Sequence, residues 1–261
     1  MEVIIRKDKA DAEQFTAQLI AKVLENKPSA LLGLATGRTA ENVYANLAEM
    51  HTNKSLDFSL ASSVNLDEYV GLAGDHEQSY RYYMNHHLFS KVNIAPENTH
   101  LPNGVAEDIV AECAAYENVI LENGGIDIQL LGIGTDGHIG FNEPGSSLNS
   151  RTRIKTLTRE TVEVNGTIFG NAEDVPKHAI TMGVGTILEA KTCVLLATGT
   201  AKAAIIKEAI EGALSAWVTG SALQLHNHAI IVVDEEAAAE LQNYDYYKWA
   251  FDNKPEWQSL V

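Results

Sequence analysis

The sequence has few cysteines and no long apolar run, and each shortage excludes a class of protein. Two cysteines among 261 residues, Cys113 and Cys193, are too few for a disulfide framework, and we interpret both as reduced, packed thiols. Without a run of about 18 apolar residues, no membrane span is predicted. The first residues turn polar directly after Val3–Ile5, unlike a signal peptide, so we expect a cytoplasmic protein.

Cations are also scarce. The chain carries 19 Lys and Arg against 35 Asp and Glu, a formal net charge of −16. Such a surface repels the phosphate backbone of a nucleic acid, so a nucleic-acid partner is not expected. A small phosphorylated metabolite is repelled too, unless local basic groups and helix N-termini overcome the field.

Short apolar runs alternate with amphipathic segments along the chain. Phe15, Leu19 and Val23, for example, recur at a spacing of four and predict one face of a helix. The alternation predicts an α/β fold: a doubly wound, mostly parallel, Rossmann-like sheet with helices on both faces. We expect residues 1–261 to form a single domain. Strands are predicted at 3–5, 30–35, 60–66, 126–133, 192–197 and 228–233, and the polar segment 150–180 is predicted to be an irregular, mobile flap.

Polar clusters follow four of the predicted strands. In a parallel α/β sheet the ligand lies beyond the carboxyl ends of the strands, so these clusters are expected to form one site. The clusters are Thr36–Thr39, Asp67–Tyr69, Thr135–Glu143 and Gly199–Lys202.

The first cluster joins a predicted strand to a predicted helix. Gly37 lets the backbone approach a ligand, and free N–H groups at a helix start favour an anion. The segment lacks the pattern of a Walker loop or of a dinucleotide-binding loop. An ordinary turn with Thr39 as the helix cap is the alternative. A second turn, Thr198–Lys202, repeats the design and adds a lysine, which favours phosphate binding.

Asp136, His138 and Glu143 lie within eight residues of one another after the most apolar predicted strand. A histidine between carboxylates can be oriented and have its pKa raised, which suits general acid–base catalysis near pH 7. A divalent metal on the same residues is the alternative, but no second His or Cys stands at ligand spacing, and we predict no metal. Asp67, at the end of another strand, is either a general base or a helix cap.

Two further features lie elsewhere in the sequence. His86 and His87 are adjacent on a predicted helix, so they are not expected to face one ligand, and we interpret them as surface or packing residues. Arg151–Lys155 holds three of the 19 basic residues. This basic island is either a solvated strand or loop, or a second anion site with Ser146 and Ser147 as donors.

Several segments, in order, resemble the glucosamine-6-phosphate deaminase family over residues 1 to about 235. Asn142–Pro144 separates this family from the related 6-phosphogluconolactonases, which lack that sequence. The resemblance implies an enzyme that converts glucosamine 6-phosphate and water to fructose 6-phosphate and ammonia, with no metal or redox cofactor. The segments are Leu32–Thr39, Asn65–Leu72, Ser79–Arg81, Leu131–Pro144, Ser150–Thr156 and Ser221–His226.

The resemblance also implies residue roles. Asp67 is implied to be the base that moves a proton between C2 and C1. His138 is implied to open the pyranose ring by proton transfer at the ring oxygen, while Asp136 and Glu143 orient it and set its proton affinity. The residues implied at the substrate phosphate are Thr36, Gly37, Thr39 and Lys202.

The chain departs from the family at that phosphate. Family members place an arginine in the flap where this chain has Thr167, and a small residue in the first turn where it has Arg38. Our hypothesis is that Arg38 supplies the missing cation. The departure leaves open whether glucosamine 6-phosphate or another amino sugar phosphate, such as galactosamine 6-phosphate, is the substrate.

An effector site is implied as well. Allosteric members bind N-acetylglucosamine 6-phosphate at a subunit interface through residues that resemble Ser146, Ser147, Arg153 and Lys155. The resemblance therefore implies that N-acetylglucosamine 6-phosphate is an effector and that the protein is a homo-oligomer, although monomeric, unregulated members exist. Two rival functions remain: a 6-phosphogluconolactonase-like hydrolase, and a non-catalytic sugar-phosphate sensor, which the net charge disfavours because such sensors carry a DNA-binding domain.

Overall fold

Parallel strands form the central sheet of the protein. We describe it from a computed structural model, which covers residues 1–255 and 258. The strands are β1 (Glu2–Arg6), β2 (Leu31–Leu34), β3 (Ser62–Asn65), β4 (Asp67–Tyr69), β5 (Thr99–His100), β6 (Ile128–Leu131), β7 (Arg153–Thr156), β8 (His178–Thr181), β9 (Cys193–Ala197) and β10 (Ala229–Asp234).

Within the described residues, seven of these strands pair in the order β1-β10-β9-β6-β2-β3-β5, with every pair parallel. Every residue of β2, β6, β9 and β10 is buried, because helices cover both faces of the sheet. The predicted doubly wound α/β fold is therefore confirmed. The short strand β5 extends the sheet beyond the six predicted strands.

Helix α1 forms where the spacing of Phe15, Leu19 and Val23 predicts it. The Asp8 side chain accepts a hydrogen bond of 2.9 Å from Asp11 N and caps α1, which buries Phe15 and Leu19. None of the described helices combines enough length with enough apolar character to span a lipid bilayer. The helices are α1 (Lys9–Asn26), α2 (Arg38–Thr52), α3 (Tyr80–His87), α4 (Ile109–Glu122), α5 (Arg159–Phe169), α6 (Val184–Leu188), α7 (Ala203–Glu211) and α8 (Tyr244–Asp252).

A second, antiparallel sheet corrects the prediction for segment 150–180. Its strands lie in the order β4-β8-β7, and Thr181 of β8 pairs with both Asp67 and Arg153. The segment is therefore not irregular, because β7, α5 and β8 account for most of it. Its apolar side packs onto a small cluster that includes Tyr69 and Phe141. Whether the segment moves stays a prediction.

Candidate active site

A cleft of about 740 Å³ opens at the carboxyl ends of the central strands. All four polar clusters predicted from the sequence contribute to its wall, because neighbouring parallel strands end at the same edge. Helices α3 and α5 form the outer walls. The predicted residues that line the cleft are Thr36, Gly37, Arg38, Thr39, Asp67, Asp136, His138 and Lys202.

Glycines allow the loop after β6 to fold back on itself. Gly134 N donates a 2.8 Å hydrogen bond to His138 O, which closes a tight turn. A Cβ on Gly134 would lie 2.5 Å from the His138 ring, and one on Gly137 would lie 2.6 Å from Val218. Gly137 also has a φ of 88°, which side chains rarely adopt. A side chain at Gly134 would displace the imidazole, and one at Gly137 would displace Val218 and Ile205.

His138 lies between two carboxylates. Its Nδ1 is 2.6 Å from Asp136 Oδ1 and 3.5 Å from Glu143 Oε2, as ionic contacts outside hydrogen-bond geometry. Burial by itself lowers the pKa of His138, but the contact with Asp136, together with the charges of Glu143 and Asp67, raises that pKa above 6.5. Burial raises the pKa of Asp136, yet the contact with His138 outweighs it and the pKa is lowered. The pair therefore favours a carboxylate beside an imidazolium.

Glu143 is buried behind His138 and does not line the cleft formed by the described residues. Its Oε1 accepts a 3.1 Å hydrogen bond from Thr158 N, and its Oε2 points toward the imidazole. The preceding Asn142 is fully buried and donates to Ile139 O and Met182 O. This anchoring fixes the loop, so Glu143 acts on His138 rather than on a ligand.

Asp67 begins β4 and is 5% exposed. Burial, then the charge of Glu68, raises the pKa of Asp67 to about 8, while the charge of His138 and a backbone hydrogen bond from Phe141 oppose the rise. A Cβ on Gly140 would lie 3.4 Å from Asp67 Oδ2, so the glycine leaves room for this carboxylate. The carboxylate lies beside the loop of residues 134–143 that carries His138, called the histidine loop below. A carboxylate with such a pKa is suited to accept a proton near neutral pH.

The turn after β2 brings the start of α2 to the cleft. Gly37 caps α2 with a φ of 115° and no side-chain cap, so Thr39 is not the helix cap. The first N–H groups of a helix lack the usual partner one turn earlier. Residues at this helix start line the cleft, and Ala40 N donates a 3.0 Å hydrogen bond to Gly37 O. Tyr83 OH donates a 2.8 Å hydrogen bond to Gly37 O and holds the turn from α3. Arg38 is exposed at the cleft wall.

The turn after β9 is arranged differently. Gly199 N donates to both carboxylate oxygens of Asp234, each at 3.0 Å, so this N–H is not free for an anion. Lys202 Nζ donates a 2.7 Å hydrogen bond to Ile133 O, beside the histidine loop. Burial lowers the pKa of Lys202, and the charge of Asp136 partly offsets this. The second turn therefore contributes a lysine rather than a second anion cradle, and sequence reasoning missed Asp234.

Helices α3 and α5 bring further residues discussed above to the cleft. His86, which is exposed, and His87 both line the cleft, and that the two do not face one ligand stays a prediction. Their helix runs along the wall, and the Tyr83 ring lies 4.3 Å from the His87 ring. Thr167 is exposed in the opposite wall, and its hydroxyl donates to Val164 O. That wall carries no cation at this position.

The four predicted effector residues do not line the cleft among the described residues, but two of them contact its supporting loop. Ser146 is buried and donates a 2.6 Å hydrogen bond to Glu143 O, while Ser147 is exposed. Arg153 Nη1 donates 2.9 Å to Asn142 Oδ1. Lys155, two residues along β7, has its pKa lowered by burial and by Arg153, which the charge of Glu143 opposes.

Asp136, His138 and Glu143 also form the one metal-like group among the described residues, with ligand atoms within 4.8 Å of one another. Two ligands on one tetrahedral ion stand ~3.3 Å apart, given metal–ligand distances of about 2.0 Å. The 2.6 Å between Asp136 and His138 is shorter, and the same Asp136 oxygen also accepts from His138 N at 3.2 Å. This geometry suits an ion pair better than a metal site.

Comparisons with known proteins agree with the fold and show the family. Residues 9–227 match the model of the glucosamine-6-phosphate isomerase/6-phosphogluconolactonase family. A glucosamine-6-phosphate deaminase from Shewanella loihica is 52% identical over 248 residues (95% of this chain, 92% of the relative). One from an Arthrobacter species is 49% identical over the full length of both chains.

Solved structures give the same result. A glucosamine-6-phosphate deaminase described as monomeric has a TM-score of 0.90 and 42% identity, covering 92% of this chain and 100% of its own. A 6-phosphogluconolactonase from Trypanosoma brucei has a TM-score of 0.75, with 92% and 98% coverage, but 16% identity, which shows the fold alone. The chain therefore belongs to the family of glucosamine-6-phosphate isomerases and 6-phosphogluconolactonases.

Proposed function

We propose that this protein converts glucosamine 6-phosphate and water into fructose 6-phosphate and ammonia. The observation that carries the proposal is the buried Asp67, with its pKa raised to about 8, beside an imidazole whose pKa the neighbouring carboxylates raise. The reaction needs one base for a carbon acid and one acid for ring opening. Relatives about half identical over the whole chain bear the name of this deaminase.

The steps can be assigned to these two groups. His138 gives a proton to the ring oxygen and takes the proton of the C1 hydroxyl, so the pyranose opens to the aldehyde and His138 is protonated again. Asp67 then takes the proton from C2 while His138 protonates O1, which gives the enolamine. Asp67 returns its proton to C1 while the amino nitrogen gives a proton back to His138, and the 2-imine forms. Water adds to C2, ammonia leaves and the ketose remains. Only protons are exchanged, so the scheme calls for no cofactor.

The phosphate is assigned to the turn after β2. The N–H groups at the start of α2, the hydroxyls of Thr36 and Thr39, and Lys202 from across the cleft provide donors and positive charge. Arg38 lies at the same turn and replaces the flap cation that Thr167 lacks. These local charges explain how a chain with a net charge of −16 accepts a small anion.

The test is ammonia release from glucosamine 6-phosphate beside galactosamine 6-phosphate, with 6-phosphogluconolactone hydrolysis as the rival assay. Ammonia from the first substrate, absent with Asp67→Asn, supports the proposal. Faster ammonia release from galactosamine 6-phosphate would show that this epimer is the preferred substrate. Lactone hydrolysis without ammonia release would overturn the proposal in favour of the lactonase.

The same proposal extends to regulation. Arg153 and Ser146 contact Asn142 and Glu143, so an anion that binds the basic strand β7 from outside is coupled to the loop behind His138. We assign this surface to N-acetylglucosamine 6-phosphate in a homo-oligomer. A hyperbolic rate curve that this ligand leaves unchanged, from a chain that sediments as a monomer, contradicts the assignment.

We also place the protein in the cytoplasm. Cys113 and Cys193 are both buried and unpaired, as expected in a reducing compartment. Fractionation of the source cells tests this placement, and recovery of the protein outside the cytoplasm would contradict it.

A further inference from the structure

We propose that the first turn of helix α3, Tyr80–Tyr83, is a strut that joins the strand of the base to the phosphate-binding turn, and that Glu68 and Tyr83 are the positioning residues at the two ends of this turn. This inference rests on the proposed function for the identity of the substrate. It adds two residues that fix the groups assigned to the base and to the phosphate.

The first end of the strut is a buried carboxylate. Glu68 follows Asp67 directly and is 2% exposed. Its Oε1 accepts hydrogen bonds from Tyr69 N at 2.9 Å and Tyr80 N at 3.0 Å, and its Oε2 accepts one from Arg81 N at 3.0 Å. A carboxylate that binds the first N–H groups of a helix offsets their positive end. The start of α3 is therefore tied to the residue beside the base.

The second end is a tyrosine hydroxyl. Tyr83 lies one turn further along α3, and its OH donates the 2.8 Å hydrogen bond to Gly37 O. Because Gly37 caps α2 without a side-chain partner, this bond is the contact that α3 makes to orient the turn. Gly37 O accepts from Tyr83 OH and from Ala40 N, so Tyr83 helps to fix the backbone from which the helix start extends toward the cleft.

The side chains of Tyr80 and Arg81 hold this turn as well. The Tyr80 ring stacks on Phe141 of the histidine loop at 6.0 Å with an interplanar angle of 16°. The Arg81 guanidinium donates to Thr99 Oγ1 at 2.7 Å and Thr99 O at 2.9 Å. The helix thus contacts the base strand, the histidine loop, the outer strand β5 and the phosphate turn, and movement at one end reaches the other.

Glu68 has an electrostatic effect in addition to its structural one. Five titratable groups interact electrostatically with Asp67: Glu68, Tyr69, Tyr80, Tyr116 and His138. Among them, Glu68 carries the negative charge that disfavours ionisation of Asp67, and His138 opposes it. Removal of the Glu68 charge is expected to move the acidic limb of kcat/KM to lower pH, which a purely structural role would leave in place.

Direct binding of inorganic phosphate tests the far end without any turnover. In calorimetry, Tyr83→Phe is expected to weaken the binding of inorganic phosphate about three- to tenfold, which corresponds to one lost hydrogen bond. The Tm of the variant is expected to stay within about a degree of the wild-type value. The KM for glucosamine 6-phosphate rises by a similar factor with kcat within about twofold. Tyr246→Phe, at an exposed tyrosine of α8, is the matched control and leaves phosphate binding unchanged. Equal phosphate affinity in Tyr83→Phe and the control overturns the proposal.

A double-mutant cycle tests the coupling. Glu68→Gln is expected to weaken phosphate binding although Glu68 belongs to the base strand, and the double variant is expected to lose little more than the more affected single variant. If the two substitutions weaken phosphate binding by independent factors that multiply in the double variant, the proposal is overturned. If Glu68→Gln does not fold, Tyr83→Phe decides alone. Lack of ammonia release by the wild type overturns the proposed function, whereas phosphate calorimetry judges the strut separately.

Discussion

Asp136 Oδ1 lies 2.6 Å from His138 Nδ1, so the carboxylate determines both the orientation and the charge of the imidazole. The two pKa values move apart, with that of His138 raised and that of Asp136 lowered. A raised histidine pKa adds stability that is lost as pH rises through the folded value. A lowered aspartate pKa adds stability that is lost as pH falls. The ion pair therefore stabilises the fold most between the unperturbed values of 3.8 and 6.5.

Asp136→Asn should remove this support. The pKa of His138 falls because burial is no longer opposed by the neighbouring charge, so the basic limb of the rate profile moves to lower pH. At pH 8 kcat is expected to drop by roughly tenfold or more. A pH–rate profile checks the shift, and urea unfolding of both proteins at pH 5.5 checks the lost stability. An unmoved basic limb would separate Asp136 from the titration of His138.

Asp67→Asn should abolish turnover, by about a thousandfold or more, while substrate binding is retained. The wild-type carboxylate has a folded pKa of about 8 against 3.8 unperturbed. The folded state therefore holds this proton more tightly, and stability falls as pH rises from 3.8 to 8. The neutral asparagine avoids that loss.

The corresponding measurement compares Tm for the two proteins at pH 5 and at pH 8.5. At pH 8.5 the Tm of the variant is expected to exceed that of the wild type by ~5 °C or more, and at pH 5 by less. Unchanged turnover would refute the role of Asp67 as the base. Equal Tm differences at both pH values would contradict its raised pKa.

His138→Gln should affect ring opening more than the later steps. Glutamine keeps polar atoms near the ring oxygen but transfers no proton, so the cyclic substrate loses about a hundredfold in kcat. An open-chain analogue that skips the first step should lose far less. Paired rates for the two substrates measure the difference, and equal losses would assign His138 to another step.

The strand-end rule explains why much of the site could be predicted. Asp67, His138 and Lys202 are far apart in the chain, but each follows a buried strand of one parallel sheet, so they meet at one edge. The central strands were equally visible, because burial on both faces requires continuous apolar runs such as Ile126–Ile133.

The second sheet had no comparable sequence pattern. The strand β7 is four residues long and reads Arg-Ile-Lys-Thr, and a single apolar residue is too short a pattern to distinguish it from a loop. Its pairing with β8 joins residues about 25 apart, and no local pattern specifies that contact. Asp234 was likewise hidden, because its role depends on the neighbouring strand β9 and not on its own sequence context.

Arg38→Ala should raise the KM for glucosamine 6-phosphate about tenfold with little change in kcat, because the phosphate binds equally in the ground and transition states. Arg159→Ala is the matched control, since its side chain is 92% exposed and contacts only Glu163 among the described ion pairs. Adding Thr167→Arg to Arg38→Ala should restore the KM from the opposite wall. A substrate complex with Arg38 turned away from the phosphate would refute the replacement.

Asp234→Asn should loosen the turn that carries Lys202. The carboxylate accepts from Gly199 N with both oxygens and from Ala237 N with one, and an amide places a donor against donors. A loss of about 1–2 kcal/mol is expected in stability, together with a severalfold higher KM and a smaller change in kcat. Asp245→Asn, at an exposed aspartate of α8, provides the control. Steady-state kinetics and urea unfolding measure both effects, and a KM equal to that of the control would show that Lys202 keeps its position without Asp234.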